Sequence, residues 1–367
     1  MSKNKYIYID DENDPSTEAI VDGLNDTGII EVSYRQVEEF NSQISFFEKE
    51  LNSFQGIILD LRLDENMGVG VRFTAPSLAQ EIRTKSGAGL GIQEIPIILC
   101  STDQKIKALY SREQSSHDLF DYEFLKGASP NWIKIASRLN SLAEGYRKIK
   151  EVDYNIENVF GRPMADIDAR ILGKFIDKEL GFPVHEFSQH ILKQLIRWPG
   201  PLIGFELLGA KLGLDIELSE DWEELLNEHL INCRYTGVFS EGWSRWWNDL
   251  LVNWFNSLTG KRLSTLKAEE RVDMLKEKLG LTKLVAAKPL PKSVSTNYST
   301  ICEFYRKPID PFEGFKVFGR KDPKPWQEHQ YLSIEAVLER RGLNQGLKIH
   351  PSEMDRVELI KQSLRNT

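Results

Sequence analysis

Over the first 150 residues, five short apolar runs bounded by turn-forming or polar residues alternate with stretches of helical periodicity. The runs are Tyr6 to Ile9, Ile29 to Tyr34, Gly56 to Leu59, Ile95 to Cys100 and Tyr122 to Leu125. Runs that are apolar on consecutive positions suit parallel strands covered on both faces, because neither face meets water. Between the second and third runs, Phe40, Ile44, Phe47 and Leu51 recur at three- and four-residue spacing and predict a helix with one stripe against the sheet. After the fifth run, Trp132, Ile135, Leu139, Leu142 and Tyr146 repeat that spacing. The pattern predicts an α/β domain of (βα)5 type over residues 1–150.

From about residue 151 the strand-like runs nearly stop, and a mainly α-helical domain is expected. Helices are predicted over Asp166 to Leu180, Val184 to Trp198, Leu202 to Leu212, Asp221 to Ile231, Gly242 to Leu258 and Leu266 to Leu279. Ser219 and Ser264 stand near two starts as caps, and Gly181, Gly260 and Gly280 fit as stops. Trp243, Trp247, Leu250 and Trp254 form a stripe at helical spacing; it reads first as a tryptophan-rich core and second as a docking face for a protein partner. Residues 281–332 carry Pro289, Pro291, Pro308, Pro311, Pro323 and Pro325 and read as an arm packed on the helical domain of 151–280. The arm's aromatic residues, among them Phe304, Tyr305, Phe315 and Trp326, give it apolar surface to bury. Two terminal helices, near Ser333 to Arg341 and Ser352 to Arg365, close residues 333–367.

Composition narrows the function. The 367 residues have a hydrophobic content of 41%, enough for two cores, and a formal net charge of -8, which argues against a surface that tracks nucleic acid. The basic run Arg147-Lys148-Ile149-Lys150 is short and reads as a solvated helix end. No apolar run reaches the length needed to span a bilayer, and no signal-peptide core follows Met1, so a cytoplasmic protein with no membrane partner is expected. Cys100, Cys233 and Cys302 are far apart, which gives neither a disulfide framework nor a zinc motif. His229 and Cys233, four apart, read as packing.

In an open parallel sheet, functional groups gather at the carboxyl ends of the strands. Asp10 and Asp11 close the first run, Asp60 the third, Ser101 the fourth and Lys126 the fifth. The segments Ile9-Asp10-Asp11-Glu12, Ile58-Leu59-Asp60-Leu61, Pro96-Ile97-Ile98-Leu99-Cys100-Ser101 and Phe124-Leu125-Lys126 resemble the receiver domain of bacterial response regulators, over about 40% of the chain. Each piece alone is weak; four in order on the expected elements are specific.

A carboxylate attacks phosphorus only when the phosphoryl charge is neutralised, and a hard divalent cation with oxygen ligands does so at neutral pH. Asp10 and Asp11, next to Asp60, would supply its site. The resemblance implies Mg²⁺, with Asp60 and the backbone carbonyl of Arg62 completing the protein ligands. It further implies Asp60 as the nucleophile, Lys126 as a point charge on one phosphoryl oxygen, and Ser101 as a hydrogen-bond donor to another. The alternative is that the three aspartates only cap strands and solvate loops. Adjacent acids at the end of a buried strand repel, which favours a cluster that holds a cation or Lys126.

Three features depart from the family. Gly127 follows Lys126 where receivers usually have proline, and Glu123 takes the usual place of the aromatic switch, between Tyr122 and Phe124. The stretch Asp64 to Glu94 is long and holds Gly68, Gly70, Gly87, Gly89 and Gly91, so it reads as a flexible loop.

No output motif is recognised, neither an ATPase P-loop nor a basic recognition helix. A polar cluster of Arg234, Tyr235, Glu241, Arg245, Asp310 and Glu313 reads first as structural ion pairs. The first functional reading is a two-component signalling protein that accepts a phosphoryl group on Asp60 from a histidine kinase or phosphotransfer protein, with a helical protein-interaction module and a possible homodimer. Its own phosphorylation and dephosphorylation would then be its only chemistry. The alternatives are a receiver-gated effector enzyme, as in a stress or phage-defence circuit, and a phosphate sink or pseudo-receiver.

Overall fold

The structure is a computed structural model that describes residues 3–12, 14–64, 73–102, 118–127, 130–173, 183–318 and 322–365. The chain divides into two compact units, residues 1–193 with 236–243, and residues 194–235 with 244–367.

The first unit is built on five parallel strands, β1 (Asn4–Asp10), β2 (Ile30–Gln36), β3 (Gly56–Asp60), β4 (Ile97–Ser101) and β5 (Tyr122–Leu125), in the order β2-β1-β3-β4-β5. That order is the flavodoxin-like one, and it puts the crevice at the carboxyl ends of β1 and β3, where the strand order reverses. Alternate side chains divide the sheet between two layers. On one face, Ile7, Ile9, Ile57, Leu59, Ile97 and Leu99 pack with Ile44 and Phe47 of α2 (Phe40–Glu50) and Leu78 and Ile82 of α3 (Ala75–Gly87). The opposite face includes Tyr6, whose hydroxyl donates to the Leu139 carbonyl of α4 (Trp132–Glu151) at 2.6 Å. Position 56 must be glycine, since a Cβ there would stand 2.0 Å from the Tyr6 ring.

Helix α1 (Pro15–Asn25) begins directly after the first acidic loop. Asp14 caps it by accepting from the amides of Ser16 and Thr17, each at 3.0 Å, and Pro15 supplies its preset first turn. The expected flexible loop from Asp64 to Glu94 is corrected in part, because α3 occupies Ala75–Gly87. Its apolar residues Leu78, Ala79 and Ile82 follow helical spacing and Pro76 opens it; the neighbouring glycines hid this signal. Gly68 and Gly70 lie outside the described residues.

The second unit is helix-rich, with helices at Phe205–Leu212, Asn248–Thr259, Ala268–Leu279 and Met354–Arg365 among others. Its main core gathers Leu208, Leu225, Leu251, Phe255 and Leu275 with Trp222 and Trp246. Gly260 and Gly280 do end their helices, at φ of 69° and 76°. Two expected caps are corrected. Ser219 bonds Asp215 and Val285 instead of opening a helix, and the helix after Ser264 is capped at Lys267 with Glu270. The predicted helix Gly242 to Leu258 begins only at Asn248, because Trp246–Trp247 pair as a short strand with Leu202–Ile203. The tryptophan stripe therefore does not lie on one helix. Trp222, Trp243, Trp246 and Trp247 are all buried, as a core reading requires. The helix expected over Asp166 to Leu180 is described only to residue 173, where Ala169–Leu172 is helical, and Gly181 lies outside the described residues.

In the proline-punctuated stretch, Phe315–Phe318 pairs with Tyr331–Leu332 and Lys348–Ile349 as three antiparallel strands. Cys302, Ile309, Phe315, Leu332, Ala336, Val337 and Val357 make a small core there. Ser333 caps the helix Ile334–Leu338.

Candidate functional site: an acidic crevice at the carboxyl ends of the strands

Asp10 is the last residue of β1, Asp60 the last of β3 and Ser101 the last of β4, while Asp11 and Lys126 follow β1 and β5 directly. The fold brings Asp10, Asp11 and Asp60 together: all three are buried, and carboxylate oxygens of the three lie within 4.8 Å of one another. Lys126 bridges two of them, its Nζ standing 2.8 Å from Asp10 Oδ2 and 2.8 Å from Asp60 Oδ1.

The remaining carboxylate oxygens are held by local backbone. Asp60 Oδ2 accepts the Arg62 amide at 2.8 Å, and Asp10 Oδ1 accepts the Glu12 amide at 3.1 Å. Arg62 thus enters the site through its N–H, while its side chain pairs with Asp64 at 2.8 Å. Ser101 is fully buried, and its Oγ has no hydrogen-bond partner among the described residues. A buried hydroxyl without a partner costs stability, so it marks a place where an acceptor is expected.

Burial and the charge of Asp10 push the Asp60 carboxyl up to about 6, even with Lys126 and the Arg62 amide pulling the other way. Burial also pulls Lys126 down, but Asp60 and Asp10 outweigh it and the ammonium is held above its ordinary range. A cluster of buried oxygen donors in which one carboxyl is still held up takes added positive charge favourably. Asp10, Asp11 and Asp60 thus fit a hard divalent cation.

Two tyrosines belong to the site that the sequence reading did not name. Tyr8 donates its hydroxyl to Asp10 Oδ2. It lies two residues earlier on the same strand face, so the period of two was the available signal. Tyr34 donates to the Glu12 carbonyl at 3.0 Å, and burial with the charges of Asp10 and Asp11 pushes it up to about 12. Cys100 is buried beside them and its thiol is pushed well up, so it stays protonated.

On β5, Tyr122 and Phe124 flank Glu123. Tyr122 and Phe124 are both buried and stack at 6.4 Å, while Glu123 points outward. No cis peptide occurs among the described residues, and Gly127 follows Lys126 without one.

In the polar cluster of the second half, the Tyr235 amide donates to the Arg245 carbonyl at 2.8 Å. Asp310 and Glu313 both hold the turn at Ser295, and Tyr235 packs on Trp247. Arg245 donates to the Ile196 carbonyl at 2.7 Å and lines a cleft of about 150 Å³ with Arg197, Glu206, Glu303 and Arg306. Such a volume is below the roughly 300 Å³ at which small-molecule sites begin. His229 lies with Glu224 and Glu228 along the helical segment 222–229, where the two exposed acids are solvated and need no ion.

No helix of the described residues is long and apolar enough to cross a membrane. No family model matches the sequence, and no curated protein matches it. Among solved structures, the chain is similar to a response regulator receiver domain protein from Clostridium thermocellum, at 15% identity over 39% of this chain and 97% of that one, with a TM-score of 0.28. It is similar to the signal receiver domain of the response regulator NarL from Mycobacterium tuberculosis, at 15% identity over 37% and 94%, with a TM-score of 0.27. A third is the manganese-bound response regulator Rcp1, at 15% identity over 36% and 88%, with a TM-score of 0.25. What these structures resemble is the N-terminal region, with its five-stranded parallel sheet.

Proposed function

We propose that the chain is a response-regulator-like signalling protein whose first unit accepts a phosphoryl group on Asp60. The observation that carries this reading is the set of groups around that carboxylate: Asp10 and Asp11 within ligand distance, Lys126 in contact, and a buried Ser101 hydroxyl with no hydrogen-bond partner among the described residues.

In the proposed reaction an Asp60 oxygen attacks phosphorus, an O–P bond forms, and the donor's bond to phosphorus breaks with its electron pair leaving on the donor. Asp10, Asp11 and Asp60, with the Arg62 carbonyl, would hold Mg²⁺, which supplies neutralisation of the phosphoryl charge. Lys126 moves from the bare Asp60 oxygen to a phosphoryl oxygen and keeps an ion pair throughout. Ser101 Oγ then has an acceptor, and the strand end that carries it is drawn toward Asp60. The donor in the cell would be a histidine kinase or phosphotransfer protein, and the helix-rich second unit would present the output to a protein partner.

Intact mass after incubation with Mg²⁺ and acetyl phosphate tests this. One added phosphoryl mass is expected in the natural chain and none in Asp60→Ala. No addition, from acetyl phosphate or from a kinase, overturns the reading.

A further inference from the structure

Tyr8 lies wholly inside the first unit, at 0% exposure, with its ring edge-on to that of Tyr34 at 6.4 Å. An apolar side chain would fill such a place with no polar atom to satisfy. What the phenol adds is one donor, and the strand decides where that donor goes. Side chains alternate along β1, so Tyr8 and Asp10 share a face, and the Tyr8 hydroxyl donates to Asp10 Oδ2.

Both oxygens of Asp10 are thereby engaged. Oδ1 accepts the Glu12 amide at 3.1 Å, and Oδ2 takes Tyr8 together with Lys126, the latter at 2.8 Å. The two partners of Oδ2 differ in kind. Lys126 is a cation on a flexible stem that also serves Asp60 at 2.8 Å, whereas the Tyr8 hydroxyl stands on a rigid ring packed on all sides. Asp10 therefore keeps a fixed donor when Lys126 turns to a different anion.

Tyr34, the register partner of Tyr8 on β2, does a separate job. Its hydroxyl donates to the Glu12 carbonyl at 3.0 Å, which also accepts Thr17 Oγ1 at 3.1 Å. One phenol holds a candidate ligand side chain, and the other holds the main chain of the turn that follows it. A cation gains affinity when its carboxylate ligands are already oriented by donors behind them, because the ordering is complete before it binds.

We infer that Tyr8 is a positioning residue of the divalent-cation site, its hydroxyl holding the Asp10 carboxylate in place for the ion. The inference rests on the cation site of the function proposed above. The hydroxyl touches neither the phosphoryl group nor the attacking oxygen in that reaction, so its removal should weaken the ion and spare the chemistry.

Titration of the full chain with Mn²⁺ at neutral pH, followed by loss of the free ion's electron paramagnetic resonance signal, tests this. The relevant binding is the part that Asp11→Asn abolishes, which sets aside ions held by exposed acids such as Glu224 and Glu228. Tyr8→Phe, which keeps the ring, should weaken that binding roughly tenfold or more. Excess Mg²⁺ should then return its phosphorylation by acetyl phosphate to the natural level. Tyr34→Phe should keep an affinity close to that of the natural chain. Natural affinity in Tyr8→Phe, or an equal loss in Tyr34→Phe, overturns the inference and leaves the phosphoryl-acceptor reading standing. Phosphorylation of Tyr8→Phe that excess Mg²⁺ does not restore also overturns it, since the hydroxyl would then act on the fold or the reaction rather than on the ion. If the natural chain has no Mn²⁺ binding that depends on Asp11, the inference and the cation site fail together.

Discussion

The same sheet carries two buried acidic centres, one at each end, and their surroundings are opposite in kind. At the amino end of β5, Asp121 is fully buried and its two oxygens receive the Arg83 guanidinium at 2.6 Å, the Ile97 amide at 2.8 Å, the Tyr146 hydroxyl at 2.6 Å and the Gln189 amide at 3.2 Å. At the carboxyl end, Asp60 shares Lys126 with Asp10, lies beside Asp11, and is held up at about 6. The first arrangement satisfies a buried charge with cation and donors in place; the second leaves a buried carboxylate in a state that incoming positive charge improves. Asp121 has a cation of its own and several donors, whereas Asp60 has one donor on each oxygen and shares its cation with Asp10.

The largest effect expected from breaking this contrast is at the satisfied pole. Arg83→Met leaves Asp121 buried without its cation and should destabilise the first unit by about 3–5 kcal/mol. Calorimetry should then show an unfolding temperature lower by about 10 °C. A loss within one or two degrees would mean that the Asp121 centre is not held by its charge pair.

Next in size is the opposite sign at the other pole. The folded Asp60 carboxyl lies above its ordinary value of 3.8, so its ionisation works against the fold; the cost is absent below about 4, grows as pH rises, and is complete above about 6. With a chelator present, Asp60→Asn should therefore raise the unfolding temperature at pH 8 and leave it nearly unchanged at pH 4, a gain of up to about 3 kcal/mol. Added Mg²⁺ should raise the midpoint of the natural chain and erase most of that difference. Equal stability of the two chains at both pH values would remove the contrast between the poles.

The smallest effect sharpens where the satisfied pole ends. Glu94 lies at this end of β4, just before Ile95 and the strand; its carboxylate accepts the Val184 amide at 2.9 Å and meets His185 Nδ1 at 3.2 Å. Burial pushes its pKa up, but these bonds and Lys150 prevail and hold it below the ordinary 4.5. A lowered acid stabilises the fold above its unfolded value and loses that contribution as pH falls through the folded one. The natural chain should thus lose more stability below pH 4.5 than Glu94→Gln does, measured by denaturant titration at pH 6 and pH 3.5.

Much of the first unit was legible because each of its strands is a short, self-contained apolar run with a polar residue at its end. Asp10, Asp60, Ser101 and Lys126 each follow such a run, and the parallel sheet then had to bring them to one edge. Helix α3 was not legible, since Gly87, Gly89 and Gly91 at and beyond its end suggested a loop while Leu78, Ala79 and Ile82 gave only a short stripe. The supposed helix from Gly242 failed for a related reason: Trp243 and Trp247 are four apart, but one seats on Tyr122 and the other pairs in a strand. Spacing alone cannot tell a helix from a bend that buries both rings.

By itself the sequence determined the alternation of buried strands and helices, and with it which acids end the strands, because both follow from local periodicity and from the sidedness of a parallel sheet. Only the tertiary structure decided that Tyr8 holds Asp10, that Arg83 meets Asp121 across 38 positions, and that 236–243 lies on Gly145. Those contacts join residues that no period connects, and their strength comes from burial, which exists only once the chain has folded.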